Sequence, residues 1–297
     1  MSNMGDMGDM GDMGDMGDMG DMGGGAGVPL PFRSDLPFDK EDAQLWRKGP
    51  GGWGWVAGAV PASDLEALAA LPVAWSPRDW SSKWSAWLIL AQFTTTQPWQ
   101  GIALTPFPTD GAALAHEKAA LFAAAQDERA DAIGEIVAQN ETYEDCIGYF
   151  EGLLRFTSRT HGKTLKLMHV AGLVGILTSM HFKAVYNRPR PSQLWPALLP
   201  PIEVPGHPAF PSGHAAQAML MALTLEKVLE GSPRAAAAPL LHAMALRVAR
   251  NREIAGLHYA SDTRGGLELA GEAFAMLEQC ALFQATLAEA RGEWTVA

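Results

Sequence analysis

The chain has few of the features that mark secreted or nucleic-acid-binding proteins. Its 297 residues include only two cysteines, Cys146 and Cys280, too few for a disulfide framework, and we expect both to be buried thiols. Only 19% of the residues are charged and the net charge is −11, so no basic surface for nucleic acid is predicted. The first residues lack the basic and apolar regions of a signal peptide. We therefore expect a cytoplasmic protein and leave a periplasmic location open.

Long hydrophobic runs are also scarce. The most apolar window, residues 165–182, is shorter than the roughly 20 apolar residues that span a bilayer. It is interrupted by Lys166, His169 and His181. The sequence therefore predicts a buried core helix here, in a soluble protein without a membrane span.

A Met-Gly-Asp repeat holds six of the acidic residues, within residues 4–23. Without those six, 27 of the 33 acids remain against 22 bases, which leaves a net charge of −5. Glycine and aspartate disfavour both helix and strand, so residues 1–28 are predicted to form a disordered arm.

Eight of the ten tryptophans lie in residues 29–110, together with many prolines. We interpret the tryptophans as packing mass, with a carbohydrate- or base-stacking surface as the less favoured alternative. This segment is predicted to form irregular stretches and short helices that wrap a helical core.

The pattern from residue 110 onward is helical, and convincing strand alternation is absent. The sequence predicts an all-α fold, with residues 111–297 as a helical catalytic bundle and residues 29–110 as an irregular Trp/Pro-rich segment around it. The predicted helices are 111–126, 142–158, 164–187, 212–230, 232–252 and 260–290, the last with a break near Gly271.

The first motif, K-x6-R-P, contains Lys183, Arg190 and Pro191. Seven residues apart near a helix end, the two cations are expected on one helical face. There they would repel each other unless an anion lay between them. The alternative is a solvated basic face.

The second motif, Pro211-Ser212-Gly213-His214, opens an apolar helix. A Ser-Gly turn at a helix N-terminus presents backbone N–H groups and the positive end of the helix dipole, which together favour an anion. His214 would lie beside that anion. The alternative is simple capping of the helix by Ser212.

The third motif, R-x5-H-x3-D, contains Arg252, His258 and Asp262. A carboxylate four residues after a histidine can accept its imidazole N–H and fix its tautomer. This arrangement suits a nucleophilic or ligating histidine. The alternative is a surface His–Asp pair.

In this order and spacing the three motifs resemble the signature of the type-2 phosphatidic acid phosphatase and vanadium haloperoxidase superfamily: K-x6-R-P, P-S-G-H and S-R-x5-H-x3-D. The match runs from Lys183 to Asp262. It departs from the signature at Asn251, where the family usually has serine. Because asparagine also donates hydrogen bonds, we expect modest consequences.

The resemblance implies a role for each matched position. His258 would attack phosphorus to form a phosphohistidine, or would bind vanadium if vanadate were present. Asp262 would orient His258, and His214 would protonate the leaving oxygen. The equatorial oxygens of phosphate or vanadate would be held by Lys183, Arg190, Arg252 and the backbone N–H groups of Ser212 and Gly213.

Two branches of the superfamily fit this sequence. We favour an acid-phosphatase-like hydrolase of phosphomonoesters, which needs no cofactor. Only 37 residues separate His214 from Arg252, and this segment tends to be longer in the haloperoxidase branch. The alternative is a vanadate-dependent bromo- or chloroperoxidase acting on halide and peroxide, for which His207 would be an accessory residue. A non-catalytic anion-binding relic is disfavoured because both histidines and Asp262 are present. Soluble members often dimerise, so the resemblance leaves a homodimer open.

Overall fold

The structure, a computed structural model, describes residues 45–49, 52–56, 80–140 and 142–295. The chain divides into two compact units, residues 1–79 and 80–297. The predicted disordered arm, residues 1–28, lies outside the described residues.

A hairpin in the first unit corrects the expectation of irregular stretches and short helices. Strand β1 (Leu45–Gly49) pairs antiparallel with β2 (Gly52–Val56), with Trp46 opposite Trp55. Tryptophan and valine favour strands, and the intervening Gly-Pro stretch is typical of a turn. The strand signal is present in the sequence, as tryptophan and valine on the two sides of the Gly-Pro stretch.

The second unit is helical, and its described residues contain no strand, which confirms the predicted all-α class for this part of the chain. Short 3₁₀ turns at 99–101, 196–198 and 235–237 link some of the helices. The helices are α1 (Ser82–Thr96), α2 (Gly111–Asp127), α3 (Arg129–Ala138), α4 (Tyr143–Leu154), α5 (Gly162–Tyr186), α6 (Pro191–Leu194), α7 (Gly213–Leu229), α8 (Ala238–Ile254), α9 (Ala260–Leu277) and α10 (Ala281–Gly292).

Helix α1 extends the helical unit further toward the N-terminus than the predicted boundary at residue 110. Its buried residues Ala86, Ile89 and Phe93 recur at helical spacing, so this helix has an apolar face. The prolines and tryptophans around it obscured that periodicity. At the other end, α9 and α10 separate at residues 278–280 rather than near Gly271.

Helix α7 forms the centre of the bundle and packs against α5, α8 and α9. Its residues Leu220, Met221 and Leu225 are fully buried. The free thiols of Cys146 and Cys280 are also buried, as expected. Lys183 and Arg252 lie near the ends of α5 and α8, and Asp262 lies near the start of α9. The start of α7 contacts the start of α9, because the backbone N–H of Ser212 donates to the carbonyl of Asp262.

Two glycines of α9 allow it to approach the start of α7 closely. A Cβ atom on Gly266 would lie 2.5 Å from the carbonyl oxygen of Ser212, and one on Gly265 would lie 2.5 Å from the ring of Phe210. Any larger side chain would therefore push the two elements apart. The backbone of the P-S-G-H turn is fixed by this contact.

One stretch among the described residues, Gly162–Leu194, which contains α5 and α6, is long and apolar enough to cross a membrane. About two thirds of its most apolar window (67%) is buried inside the protein. The absence of a membrane span and the cytoplasmic location therefore stay predictions.

Candidate active site

The K-x6-R-P motif is not arranged as the sequence suggested. Helix α5 ends at Tyr186, and Asn187 takes a left-handed conformation with φ 46°. Arg190 lies beyond the helix, as the residue that precedes α6. The expectation that Lys183 and Arg190 share one helical face is therefore wrong, because the chain turns between them. They meet through the loop that contains His207 instead.

Lys183 is buried in the last turn of α5. Its Nζ atom donates to the carbonyl oxygens of Pro208 (2.8 Å) and Ala209 (3.1 Å). Burial lowers the pKa of Lys183 well below its ordinary value, and the nearby charge of Arg190 lowers it further. An ammonium group has three N–H donors, so one remains for a ligand.

Arg190 is buried and holds both the loop and the histidine of the third motif. Its Nε donates to the carbonyl of His207 (2.9 Å), and its Nη2 contacts Nδ1 of the same residue (2.9 Å). Its Nη1 donates to the carbonyl of Leu257 (3.0 Å) and lies 3.1 Å from Nε2 of His258. Burial lowers the pKa of Arg190 to about 10. His207, predicted only as an accessory residue, is thus a direct neighbour of the predicted anion site.

Ser212 caps α7, and its hydroxyl accepts the N–H of Ala215 at 3.4 Å. Its own backbone N–H donates to the carbonyl of Asp262 at 3.0 Å. The expectation that this N–H holds an oxyanion is therefore corrected, since it already has a partner on α9. Gly213 is the first residue of α7, where the helix dipole still favours an anion.

His214 lies in the first turn of α7, and its Nε2 is 2.8 Å from the carbonyl oxygen of Gln139. A carbonyl can only accept, so Nε2 carries the proton of the neutral ring and Nδ1 carries the lone pair. Burial lowers the pKa of His214 to about 3, and the charge of Arg252 contributes in the same direction. His214 is therefore neutral in the ligand-free site near neutral pH.

Arg252, near the end of α8, has the clearest signature of an anion-binding group. The side chain is 1% exposed, yet only its Nη2 has a protein acceptor, the carbonyl of Ile136 at 2.8 Å. Its Nε and Nη1 atoms are buried and have no hydrogen-bond partner among the residues that the structure describes. Buried donors without partners are rare because each costs roughly 1–3 kcal/mol. Burial also lowers the pKa of Arg252 to about 10.

His258 and Asp262 form the predicted pair, although His258 precedes α9 rather than lying on it. Nδ1 of His258 is 3.1 Å from Oδ2 of Asp262, which also accepts the N–H of Tyr259 at 3.0 Å. This pairing fixes the proton on Nδ1 and leaves the lone pair on Nε2. Burial lowers the pKa of His258 well below its ordinary value, and the charge of Arg190 adds to the effect. The ring is therefore neutral at neutral pH, with the lone pair of Nε2 available.

Arg188 binds the carboxylate oxygen of Asp262 that does not contact His258. The sequence did not predict this role. Its Nη1 donates to Oδ1 of Asp262 (2.6 Å) and to the hydroxyl of Ser261 (2.7 Å), and its Nη2 pairs with Glu117 (2.7 Å). Burial raises the pKa of Asp262 to about 6, whereas the charge of Arg188 lowers it. Asp262 thus depends on Arg188 to remain ionised.

Glu117 completes this network from α2, far from the motifs in sequence. It accepts both the backbone N–H of Ser261 (3.1 Å) and the Ser261 hydroxyl. Glu117 lies on the buried face of α2 with Leu121 and Ala124. A carboxylate on an apolar face must find a partner, and that was the signal available in the sequence.

The charges of the site do not balance. The two carboxylates at the site, Glu117 and Asp262, both pair with Arg188. Among the described residues, no carboxylate forms a salt bridge with the three other buried cations. Burying an unpaired charge is costly, so a bound anion would stabilise this arrangement. The unpaired cations are those of the first and third motifs: Lys183, Arg190 and Arg252.

Comparison with known proteins identifies the segment that carries these motifs. Residues 163–283 match the family model of the PAP2 superfamily. This segment contains every motif residue from Lys183 to Asp262. The predicted resemblance is thereby confirmed.

Among solved structures, the chain is similar to a transmembrane PAP2-type phosphatidylglycerolphosphate phosphatase from Bacillus subtilis. The two are 18% identical, the similarity covers 67% of this chain and 94% of that one, and the TM-score is 0.43. At that level, no property of the Bacillus enzyme can be transferred to this chain. None of the curated proteins matches the chain.

Proposed function

We propose that this protein is a phosphatase that hydrolyses small phosphomonoesters through a phosphohistidine at His258. One observation supports this most directly: two buried cations, Lys183 and Arg190, act on a neutral histidine whose Nδ1 is held by Asp262, and neither cation forms a salt bridge with a carboxylate in the described part of the chain. Fixed cations bind the equatorial oxygens of a phosphoryl group, and a neutral imidazole attacks phosphorus. The predicted roles of these residues remain proposals.

In the first step, the Nε2 lone pair of His258 forms a bond to phosphorus while the bond from phosphorus to the ester oxygen breaks. The Asp262 carboxylate stabilises the positive charge that develops on the imidazole. The phosphoryl oxygens would be bound by Arg252, through its unpartnered Nε and Nη1, and by the remaining N–H of Lys183.

Arg190 must rearrange for this step to occur. In the ligand-free site its Nη1 lies 3.1 Å from the nucleophilic Nε2 of His258 and donates a hydrogen bond to the lone pair of that nitrogen. A bound dianion attracts the guanidinium more strongly than a neutral imidazole does, so Arg190 would turn to the phosphate and release Nε2. Substrate binding and activation of the nucleophile would therefore be coupled.

His214 would supply the proton that the departing alkoxide needs. Its Nε2–H is held by the Gln139 carbonyl, so the transferable proton is on Nδ1. The ligand-free pKa of about 3 is too low for an acid at neutral pH, but a bound phosphate dianion raises it. In the second step water attacks phosphorus and gives its proton to His214. The bond from His258 to phosphorus breaks, and phosphate leaves.

A second candidate function is a vanadate-dependent haloperoxidase, which His207 favours. It contacts Arg190 through both its carbonyl and its Nδ1 atom, so a second histidine borders the pocket. The unpartnered donors of Arg252 fit vanadate as well as phosphate, because both are tetrahedral oxyanions. Bound vanadate would supply the activation of peroxide for halide oxidation. His258 would bind it, with Lys183, Arg190 and Arg252 around its oxygens.

The test is the hydrolysis of p-nitrophenyl phosphate by the purified full-length chain, with a parallel assay of bromide and chloride oxidation by peroxide after vanadate loading. We expect hydrolysis in the wild type, at least a thousandfold loss in His258→Ala, and no change in His242→Ala. His242 is a matched control because it pairs with Glu226 at the surface.

Halide oxidation without hydrolysis would replace the phosphatase proposal with the haloperoxidase. Hydrolysis that survives His258→Ala would refute the phosphohistidine. The absence of both activities would favour a relic site that binds anions without catalysis.

A further inference from the structure

The end of helix α3 contacts the site through two backbone carbonyls, although α3 lies outside the family-matched segment. The carbonyl of Ile136 accepts from Nη2 of Arg252 at 2.8 Å. The carbonyl of Gln139 accepts from Nε2 of His214 at 2.8 Å. The carbonyls of the last helical turn lack partners within the helix and bear the negative end of its dipole, so they are strong acceptors.

The position of Gln139 is fixed by a second contact. Its side chain is 1% exposed, and its Oε1 accepts from Nδ2 of Asn251 at 3.0 Å. Gln139 directly follows α3, at a point where the chain would otherwise be free to fray. The side-chain bond to Asn251 therefore fixes the position of the carbonyl that holds His214.

Asn251 is the one position that departs from the family signature, and both of its donors are used. Nδ2 donates to Oε1 of Gln139 and to Oε2 of Glu135, at 3.0 and 2.8 Å. The side chain is fully buried in α8. Serine, the usual family residue here, is shorter and has a single donor, so it could not bind both acceptors at once. Asparagine therefore suits this position, because its two donors can bind both acceptors near the end of α3.

We propose that Asn251 and Gln139 are positioning residues that hold His214 in the Nε2–H tautomer, with Nδ1 directed at the leaving oxygen of the substrate. Neither residue touches the reacting atoms. This inference rests on the proposed function for its chemical consequence, because a tautomer matters only if His214 transfers a proton. This proposal gives the asparagine a larger role than the modest one that the sequence predicts.

The chemical test compares substrates that differ in their need for an acid. Nitrophenolate leaves without protonation, whereas an alkoxide does not, and general acid catalysis contributes about 10²–10⁴-fold. In Asn251→Ser, we expect kcat/KM for hexyl phosphate to fall about tenfold or more beyond the fall for p-nitrophenyl phosphate. Gln139→Ala should show the same selective loss.

Arg247→Ala is the matched control, because Arg247 binds Glu135 from the solvent side but does not contact Gln139. It should leave the ratio of the two substrates unchanged. An equal loss on both substrates in Asn251→Ser and Gln139→Ala would mean that the two residues only stabilise the fold, and would overturn the proposal.

A second measurement does not depend on activity. The ¹⁵N chemical shifts of the His214 imidazole report which nitrogen is protonated. We expect the Nε2–H tautomer in the wild type and in Arg247→Ala, and a mixture of tautomers in Asn251→Ser and Gln139→Ala. A pure Nε2–H tautomer in those two variants would refute the positioning role. If no phosphatase activity were found, the proposed function would fail. The ¹⁵N shifts would still show whether Asn251 and Gln139 hold His214 in one tautomer.

Discussion

Replacing Arg188 by methionine would remove the cation that pairs with both carboxylates of the site. The side chain is 3% exposed and forms ion pairs with Glu117 at 2.7 Å and with Asp262 at 2.6 Å. Its guanidinium also stacks 3.7 Å from the ring centre of Tyr259. Methionine can fill the space beside the ring but leaves two carboxylates buried without a countercharge.

The expected loss of stability follows from that geometry. Removing one partner of a buried ion pair costs about 3–5 kcal/mol. For a helical unit of this size, that loss corresponds to a fall in Tm of roughly 6–20 °C. The exposed Arg264, at the start of α9, provides the control. Arg264→Met should change the free energy of unfolding by less than about 0.5 kcal/mol.

The same substitution should change activity in a pH-dependent way. The charge of Arg188 lowers the pKa of Asp262, which burial has raised to about 6, so its removal raises that pKa further. Asp262 would then be protonated near pH 6 and could no longer hold His258, at a loss in kcat of about 10–100-fold. Activity should recover as the pH rises through the new pKa.

The assay is thermal unfolding together with a kcat profile from pH 5 to 9. Adding Glu117→Gln to Arg188→Met should restore part of the lost stability, because only one unpaired carboxylate remains. A wild-type Tm and an unshifted pH profile in Arg188→Met would mean that Arg188 neither stabilises the two carboxylates nor keeps Asp262 ionised.

Further consequences concern anion binding, packing and pH. Arg252→Ala removes charged hydrogen bonds worth about 1.5–3 kcal/mol each, so the inhibition constant of vanadate should rise about tenfold to a hundredfold; an unchanged constant would contradict the pocket. Gly266→Ala should lower Tm and activity because its Cβ would meet a carbonyl of the P-S-G-H turn at 2.5 Å, whereas Gly271→Ala, with open space around it, should leave Tm unchanged or raise it. The depressed pKa of His214 (about 3) means that the unfolded chain binds more protons below pH 6.5. The contribution of His214 to the free energy of unfolding should therefore fall by about 2 kcal/mol between pH 6.5 and 5. The raised pKa of Asp262 offsets part of this fall below pH 6. Denaturant unfolding measures the sum, and a rise in the free energy of unfolding would contradict the predicted sign.

The sequence predicted the composition of the site better than its geometry. Motif spacing brought Lys183, Arg252 and the His258–Asp262 pair to one place, and the structure joins them. The predicted helix 164–187 ends within one residue of the observed end of α5 at Tyr186. The expectation that Arg190 shares a helical face with Lys183 extended the helix past that end, where Asn187 takes a left-handed conformation. Arg190 was therefore placed on the wrong element, although its neighbourhood was predicted.

The supporting contacts were beyond sequence reasoning for a different reason. Gln139 acts through its backbone carbonyl, which any residue has, and Glu117 lies on a helix that no motif includes. The carbonyl of Asp262, which accepts the Ser212 N–H, is 50 residues away along the chain, so the local motif could not show that this N–H already has a partner. Such contacts depend on how the helices pack, which local patterns do not specify.

The central claim, that His258 is the nucleophile, is tested most directly by trapping the intermediate. The wild-type protein would be mixed with [³²P]-p-nitrophenyl phosphate, quenched in alkali and digested, and the labelled peptide identified by mass spectrometry. We expect a single alkali-stable, acid-labile phosphate on His258, formed within one turnover and absent from His258→Ala. Label on another residue, or steady hydrolysis without any phosphoprotein, would contradict it.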